Sequence, residues 1–266
     1  MKFIETVIRK ITEATTPTTK LYLRTLVERW GKSTKGEFFG QFGEDAFLRG
    51  YFEARSWQQS HTGSLTGKRH PIGHGFYVDV GAFSPKTYSN TYMFYHQGWR
   101  GINIDPSPGG MQAFVKLRPH DQNLEIGVSD VAGERDFFHW SVPAVVNTLS
   151  PEHARHWTQV LGRQPRVTRI KVLPLRTIFD QYLPQGQAIS FMNIDVEGHD
   201  LEVLRSNDWT RYRPELVLVE LDSEEIEVIL RSEIVQYMSA NEYKLIGWIR
   251  PTLAFRDAHC PLIAGE

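Results

Sequence analysis

FYVDVGAFSPKTYSNTYMFYHQGWRGINID, residues 76–105, contains two short, mostly apolar runs, FYVDV (76–80) and GINID (101–105), separated by a helical pattern over 87–97. Runs that do not alternate with exposed polar residues suit strands covered on both faces. A strand–helix–strand unit of this length favours a parallel crossover. Further strand signals follow at LEIGV (124–128), SFMNIDV (190–196), ELVLVEL (215–221) and KLIGWI (244–249), with helical patterns at 108–118, 199–206 and 224–240. This alternation predicts an α/β chain with a doubly wound, mostly parallel sheet. TLAF (252–255), set off from KLIGWI by Arg-Pro, is expected to close that sheet as an antiparallel hairpin. Residues 134–175 break the rhythm and read as an elaboration over one edge.

Upstream of the core domain (76–258), residues 1–55 read as an N-terminal helical lead-in with a helix at about 43–54, and 56–75 as a Ser-, Gly- and His-rich loop. Phe3, Ile4, Val7, Ile8 and Ile11 share one helical face. Packing of that face on the domain or a second subunit, making a homo-oligomer, is favoured over a peripheral membrane contact. The first residues lack the features of a signal peptide, and no stretch approaches the roughly 18 apolar residues of a membrane span.

With 266 residues, 41% hydrophobic and 23% charged, the chain can bury a sizeable core, and its formal net charge of −1 gives no field to attract nucleic acid. Its one cysteine, Cys260, excludes an internal disulfide and a CxxC metal site, and fits a cytoplasmic location.

In open α/β sheets ligands bind beyond the carboxyl ends of the strands. The turn after the first strand offers Gly81, then Ala82, Phe83 and Pro85, which lacks the glycines of a pyrophosphate cradle. It suits a ligand without phosphate, such as S-adenosylmethionine. Asp79 could meet an ammonium group and Asp105 the ribose hydroxyls, against the plainer reading that both cap turns. Ser129 or Asp130, ending the third strand, could face an adenine or simply make a turn. The fourth strand runs into Asp195, Glu197, His199 and Asp200, and the fifth ends with Glu220 and Asp222.

The block beginning FYVDVGAFSPKTYSN, together with FMNIDVEGHDLEVLRSNDW and the upstream QFGEDAFL (41–48), resembles the FkbM family of S-adenosylmethionine-dependent methyltransferases over roughly residues 41–250. The resemblance implies a Rossmann-like domain of the class I methyltransferase type and methyl transfer, usually to a hydroxyl of a sugar, glycan or natural product. It places Asp79 and Gly81 in the cofactor loop, Asp105 on the ribose and Asp195 between cofactor and acceptor. Which of Ser84, Ser89 and Asn90 touches the methionine part stays open.

An alcohol acceptor needs a base, or a metal that acidifies it. His199 has the ordinary titration range of a base, though it could equally cap the following helix or bond Asp195 or Asp200. Asp195 and Glu197 with Glu220 or Asp222 could hold Mg²⁺; the plainer alternatives are a solvated acidic rim or a bond from Glu197 to a helix N-terminus. His139, Trp140, His153, His156 and Trp157 in the elaboration, and Trp57, His61, His70 and His74 before the first strand, are candidates for an acceptor pocket; each tryptophan of the elaboration reads singly as edge packing. Three rival readings stand beside this methyltransferase: a nicotinamide-dependent reductase, disfavoured by the missing glycines; a non-catalytic nucleoside-binding domain; and methylation of protein or nucleic acid, for which the sequence offers no basic groove and no N/D-P-P-Y-type clamp.

Overall fold

The structure is a computed structural model, and it describes residues 38–59 (side chains to Arg55), 74–140 and 144–260. The apolar face at 3–11, His61, His70 and the Trp57 side chain lie outside the described residues. Residues from Phe38 onward belong to one compact unit.

A seven-stranded sheet forms its centre. In chain order its strands are β1 (Phe76–Val80), β2 (Arg100–Ile104), β3 (Gln122–Leu124), β7 (Phe191–Ile194), β8 (Leu216–Glu220), β9 (Tyr243–Ile249) and β10 (Thr252–Asp257), arranged β3-β2-β1-β7-β8-β10-β9. β3, β2, β1, β7 and β8 are parallel, while β10 runs antiparallel to both its neighbours. The expected doubly wound Rossmann-like sheet is therefore present. Strand order reverses between β1 and β7, which opens a crevice at their carboxyl ends.

The expected antiparallel hairpin of KLIGWI and TLAF is present as β9–β10, with β10 inserted between β8 and β9 and buried at all six positions, whereas β9 is mostly half-buried. β9 carries more apolar residues, yet β10 takes the covered place, with even Arg256 and Asp257 buried. One expectation about this sheet needs correction. LEIGV is not one strand: β3 ends at Leu124, and β4 (Gly127–Val128) leaves to pair with β6 (Arg166–Leu173) in a second sheet. That sheet, ordered β4-β6-β5 with β5 (Gly133–His139) antiparallel to β6, is the elaboration expected at 134–175.

Side chains alternate between the faces of the large sheet with the period of two that strands impose. Val78, Val80, Met192, Ile194, Val217 and Val219 join one core. It is covered by α5 (Leu175–Tyr182), α6 (Asp200–Arg205), α7 (Ile226–Arg231) and α8 (Glu233–Ala240). Tyr77, Phe191, Leu216 and Leu218 face the other way, against Leu48, Tyr51 and Phe52 of α1 (Glu44–Gln59) and Met93 and Phe94 of α2 (Tyr92–His96). α1 thus packs on the core domain and runs past the boundary expected at 55. The helix expected over 224–240 is interrupted at Ser232, whose extended backbone and side-chain oxygen cap α8 through Val235 N–H. Two further helices, α3 (Met111–Leu117) and α4 (Pro151–Leu161), complete the described elements.

Candidate active site

The crevice at the switch point is a cavity of about 630 Å³, within the roughly 300–1,000 Å³ of small-molecule sites. It is walled by the ends of β1, β2, β7 and β8, the 126–128 segment, and residues 144–149 and Trp157 of the elaboration.

Register builds the floor. Asp79 pairs with Asn103 on β2 and Asn193 on β7, so three polar residues cross three buried strands in one row. Asn193 Nδ2 donates to Asp79 Oδ1 at 3.0 Å, and Thr91 Oγ1 donates to Asp79 Oδ2 at 2.7 Å. A carboxylate only accepts, so Asn193 is left with its Oδ1 to accept from Asn90 Nδ2 at 3.0 Å. The chain of bonds ends at Asn90 Oδ1, a buried acceptor beside the cavity with no partner among the described residues. Burial raises Asp79 above the ordinary carboxylate range; the bonds from Thr91 and Asn193 and the nearby Arg118 charge oppose it.

Gly81 makes the turn out of β1 at φ +82°, and a Cβ there would overlap the backbone carbonyl of Asp195. The two strand ends approach so closely that only glycine fits. Asp105, beyond β2, accepts from Phe83 N–H at 3.0 Å on one oxygen and from Ser107 N–H at 2.8 Å on the other. Burial raises its pKa against those bonds. Ile104, Pro106, Ile126, Val128 and Phe137 give the same end of the cavity an apolar lining.

The opposite end is acidic. Asp195, Glu197 and Glu220 each place a carboxylate oxygen within 4.8 Å of the others, and Asp222 lines the same wall. Glu197 sits at φ +55° in the turn Asp195–His199. Asp200 braces that turn, accepting from Val196 N–H at 3.2 Å and Gly198 N–H at 3.1 Å. Asp195 has accessible surface because it opens into the cavity, yet it lies deep among protein atoms, and that depth governs its ionisation. Burial, then Glu220, holds its carboxyl well above the usual range. Burial with Asp195 and Asp200 pushes Glu197 up to about 8, against a hydrogen bond from Trp157. Burial and Glu197 push Glu220 up to about 7, and burial and Asp195 push Asp200 up to about 7.

Among the residues singled out from sequence, Asp79, Gly81, Ala82, Asn90, Asp105, Asp195, Glu197, Glu220, Asp222 and Trp157 all line the cavity. Ser89 and Ser129 do not. Ser89 Oγ accepts from Tyr92 N–H and from Arg118, and Ser129 Oγ bonds Asp130, so each is spent on local structure. His199 also stands off the cavity. It occupies the N-cap position of α6, its Nδ1 lies 3.8 Å from Glu202 Oε2, and burial lowers its pKa. His139 bonds Thr168, Trp140 donates to Arg163 O, His156 packs edge-on to Trp157, and His153 covers Gly198.

Sequence reasoning passed over Asn193 and Glu44. An asparagine inside an otherwise apolar strand was the available signal for the first. Glu44 lines the cavity from α1, and its Oε2 accepts from Phe42 N–H at 3.0 Å.

No curated protein and no solved structure gives a significant match to the chain. The methyltransferase FkbM domain matches residues 79–245, well over half of the chain, taking in β2, β7 and β8 whole and β1 from Asp79. A Rossmann-like sheet whose switch-point residues Asp79, Asp105, Asn193 and Asp195 fall inside that match makes this chain a member of the FkbM methyltransferase family.

Proposed function

We propose that the chain transfers the methyl group of S-adenosylmethionine to a hydroxyl oxygen of a sugar, glycan or other small-molecule acceptor. The observation that carries this reading is the two-ended cavity. One end has an apolar lining, the backbone-anchored Asp105 and the unpartnered Asn90 Oδ1; the other has carboxylates with raised pKa values. The first end fits the cofactor: Ile126, Val128 and Phe137 would hold an adenine, Asp105 would accept from ribose hydroxyls, and Asn90 Oδ1 and Asp79 would accept from an ammonium. S-adenosylmethionine supplies an electrophilic methyl on sulfur.

At the other end the chain must orient an alcohol and receive its proton. A base works best with a pKa near the working pH. Glu197, at about 8, and Glu220, at about 7, meet that condition and face the cavity, which His199 does not. We assign the proton to the Asp195–Glu197–Glu220 group acting together, since groups this close titrate as a unit. Titration calorimetry with adenosylhomocysteine tests the reading. Saturable binding at micromolar concentration is expected, and no heat at millimolar concentration would overturn it.

The mutual 4.8 Å spacing of the three carboxylates favours a second reading, in which they hold Mg²⁺. A hard cation would replace the protons in neutralising the group and would acidify the acceptor. Dialysis against EDTA followed by Mg²⁺ addition at about pH 8 should then raise the melting temperature; an unchanged melting curve and EDTA-insensitive turnover would retire this version.

A further inference from the structure

Arg118 is wholly buried, at 0% exposure, and does not reach the cavity. No carboxylate among the described residues pairs with it directly. Its guanidinium is instead satisfied by neutral oxygens: Nε donates to Pro85 O at 2.8 Å, Nη2 to Ser89 Oγ at 2.6 Å, and Nη1 to Thr91 Oγ1 at 2.7 Å and Asn103 Oδ1 at 3.2 Å. The rings of Tyr92, Tyr95 and Phe114 surround it at 5.4–5.8 Å. Burying a cation is costly even when it is fully bonded. A neutral, well-packed side chain would serve packing alone as well, so the geometry it imposes is the informative feature.

Three of the four acceptors lie in one segment, 85–91, on the loop between β1 and α2. That loop holds two non-glycine residues in the left-handed region, Phe83 at φ +48° and Tyr88 at φ +57°, and both line the cavity with their rings stacked 6.3 Å apart. Such conformations cost on the order of 1–3 kcal/mol each and persist only where surrounding contacts enforce them. Thr91 extends the grip to the cavity floor, accepting from Arg118 and donating to Asp79. Asn193 and Asn90 continue the chain of bonds to the open acceptor Asn90 Oδ1.

We infer that Arg118 is a positioning residue for the methionine end of the cofactor, acting through Pro85, Ser89 and Thr91 to fix Asp79 and Asn90. The inference rests on the cofactor reading above. It predicts a selective defect: contacts to the amino-acid end weaken while the nucleoside end, on Asp105 and 126–128, keeps its own supports.

The experiment compares adenosylhomocysteine with 5′-methylthioadenosine, which keeps the nucleoside and sulfur and lacks the amino-acid end. Both are titrated calorimetrically into the full chain, wild type and the variants Arg118→Lys and Thr91→Val. Lysine cannot span four acceptors, and valine keeps the shape of Thr91 without its hydroxyl. Adenosylhomocysteine affinity should fall by about tenfold or more in each variant, the scale of one lost bond to a charged group, while methylthioadenosine affinity changes less than about twofold. If Arg118→Lys does not fold, Ser89→Ala, which removes an Arg118 acceptor that makes no bond to Asp79, decides in its place, with the same selective loss expected. Parallel losses for both ligands, or no loss for either, would overturn the inference while leaving the cofactor reading standing. A wild type that binds neither ligand would overturn the cofactor reading itself.

Discussion

Raising the pH should destabilise this protein through its acidic wall. Glu197 is pushed up to about 8, and Glu220 and Asp200 to about 7, from ordinary values of 4.5, 4.5 and 3.8. An acid whose pKa is raised on folding holds a proton that the unfolded chain has already released. Its protonated form therefore supports the fold at low pH, and that support is lost as pH rises through the folded value. Near pH 7.5 the three groups together retain on the order of one proton more than the unfolded chain. Each such proton gives a slope of about −1.4 kcal/mol per pH unit. His199, lowered by burial, is mainly neutral in both states in this range and adds little. Urea denaturation at 25 °C between about pH 7 and about pH 8.5 would measure the slope, in buffers free of divalent cations. Glu197→Gln should flatten it and should be more stable than wild type at the alkaline end. A flat or rising stability over this interval, or an unchanged slope in Glu197→Gln, would refute the electrostatic account.

Three other outcomes follow from contacts described above. Gly81→Ala should lose at least about 2 kcal/mol of stability, since the added methyl meets the Asp195 carbonyl at a φ that disfavours alanine; equilibrium denaturation would show it. Phe255→Ala, at a fully buried position of β10, should cost about 3–5 kcal/mol by the same measurement. Asn193→Leu should weaken adenosylhomocysteine binding by about tenfold, because it leaves Asp79 Oδ1 and Asn90 Nδ2 without their partner.

What the sequence disclosed depended on how local the deciding physics was. FYVDV is strand β1 at the expected limits, because an apolar run is enough to mark a covered strand. SFMNIDV and ELVLVEL contain β7 and β8 for the same reason. α5, eight residues long, begins where the 134–175 elaboration ends, in a stretch to which the sequence reading assigns no element. The β5–β6 pairing joins segments that are largely exposed and charged, so no apolar pattern announced it. The acids of the site were visible as strand endings. Their partnerships were not: the Asp79–Asn193 bond depends on register between strands 114 positions apart. Arg118 gave no signal at all, because an arginine following a helix and preceding a proline reads as a surface residue until the loop that covers it is known.

The placement of β10 also bears on how the chain is made. Among the described residues, β9 joins the large sheet only through β10, and β10 is synthesised after it. During translation β9 therefore emerges with its own pairing partner still unmade, and this flank of the sheet cannot close until residue 257 has left the ribosome. The family match stops at 245, inside β9. A fragment cut at that limit would keep the residues of the cavity floor and lose the strand that seals the fold beside them, so expression boundaries should be drawn beyond β10.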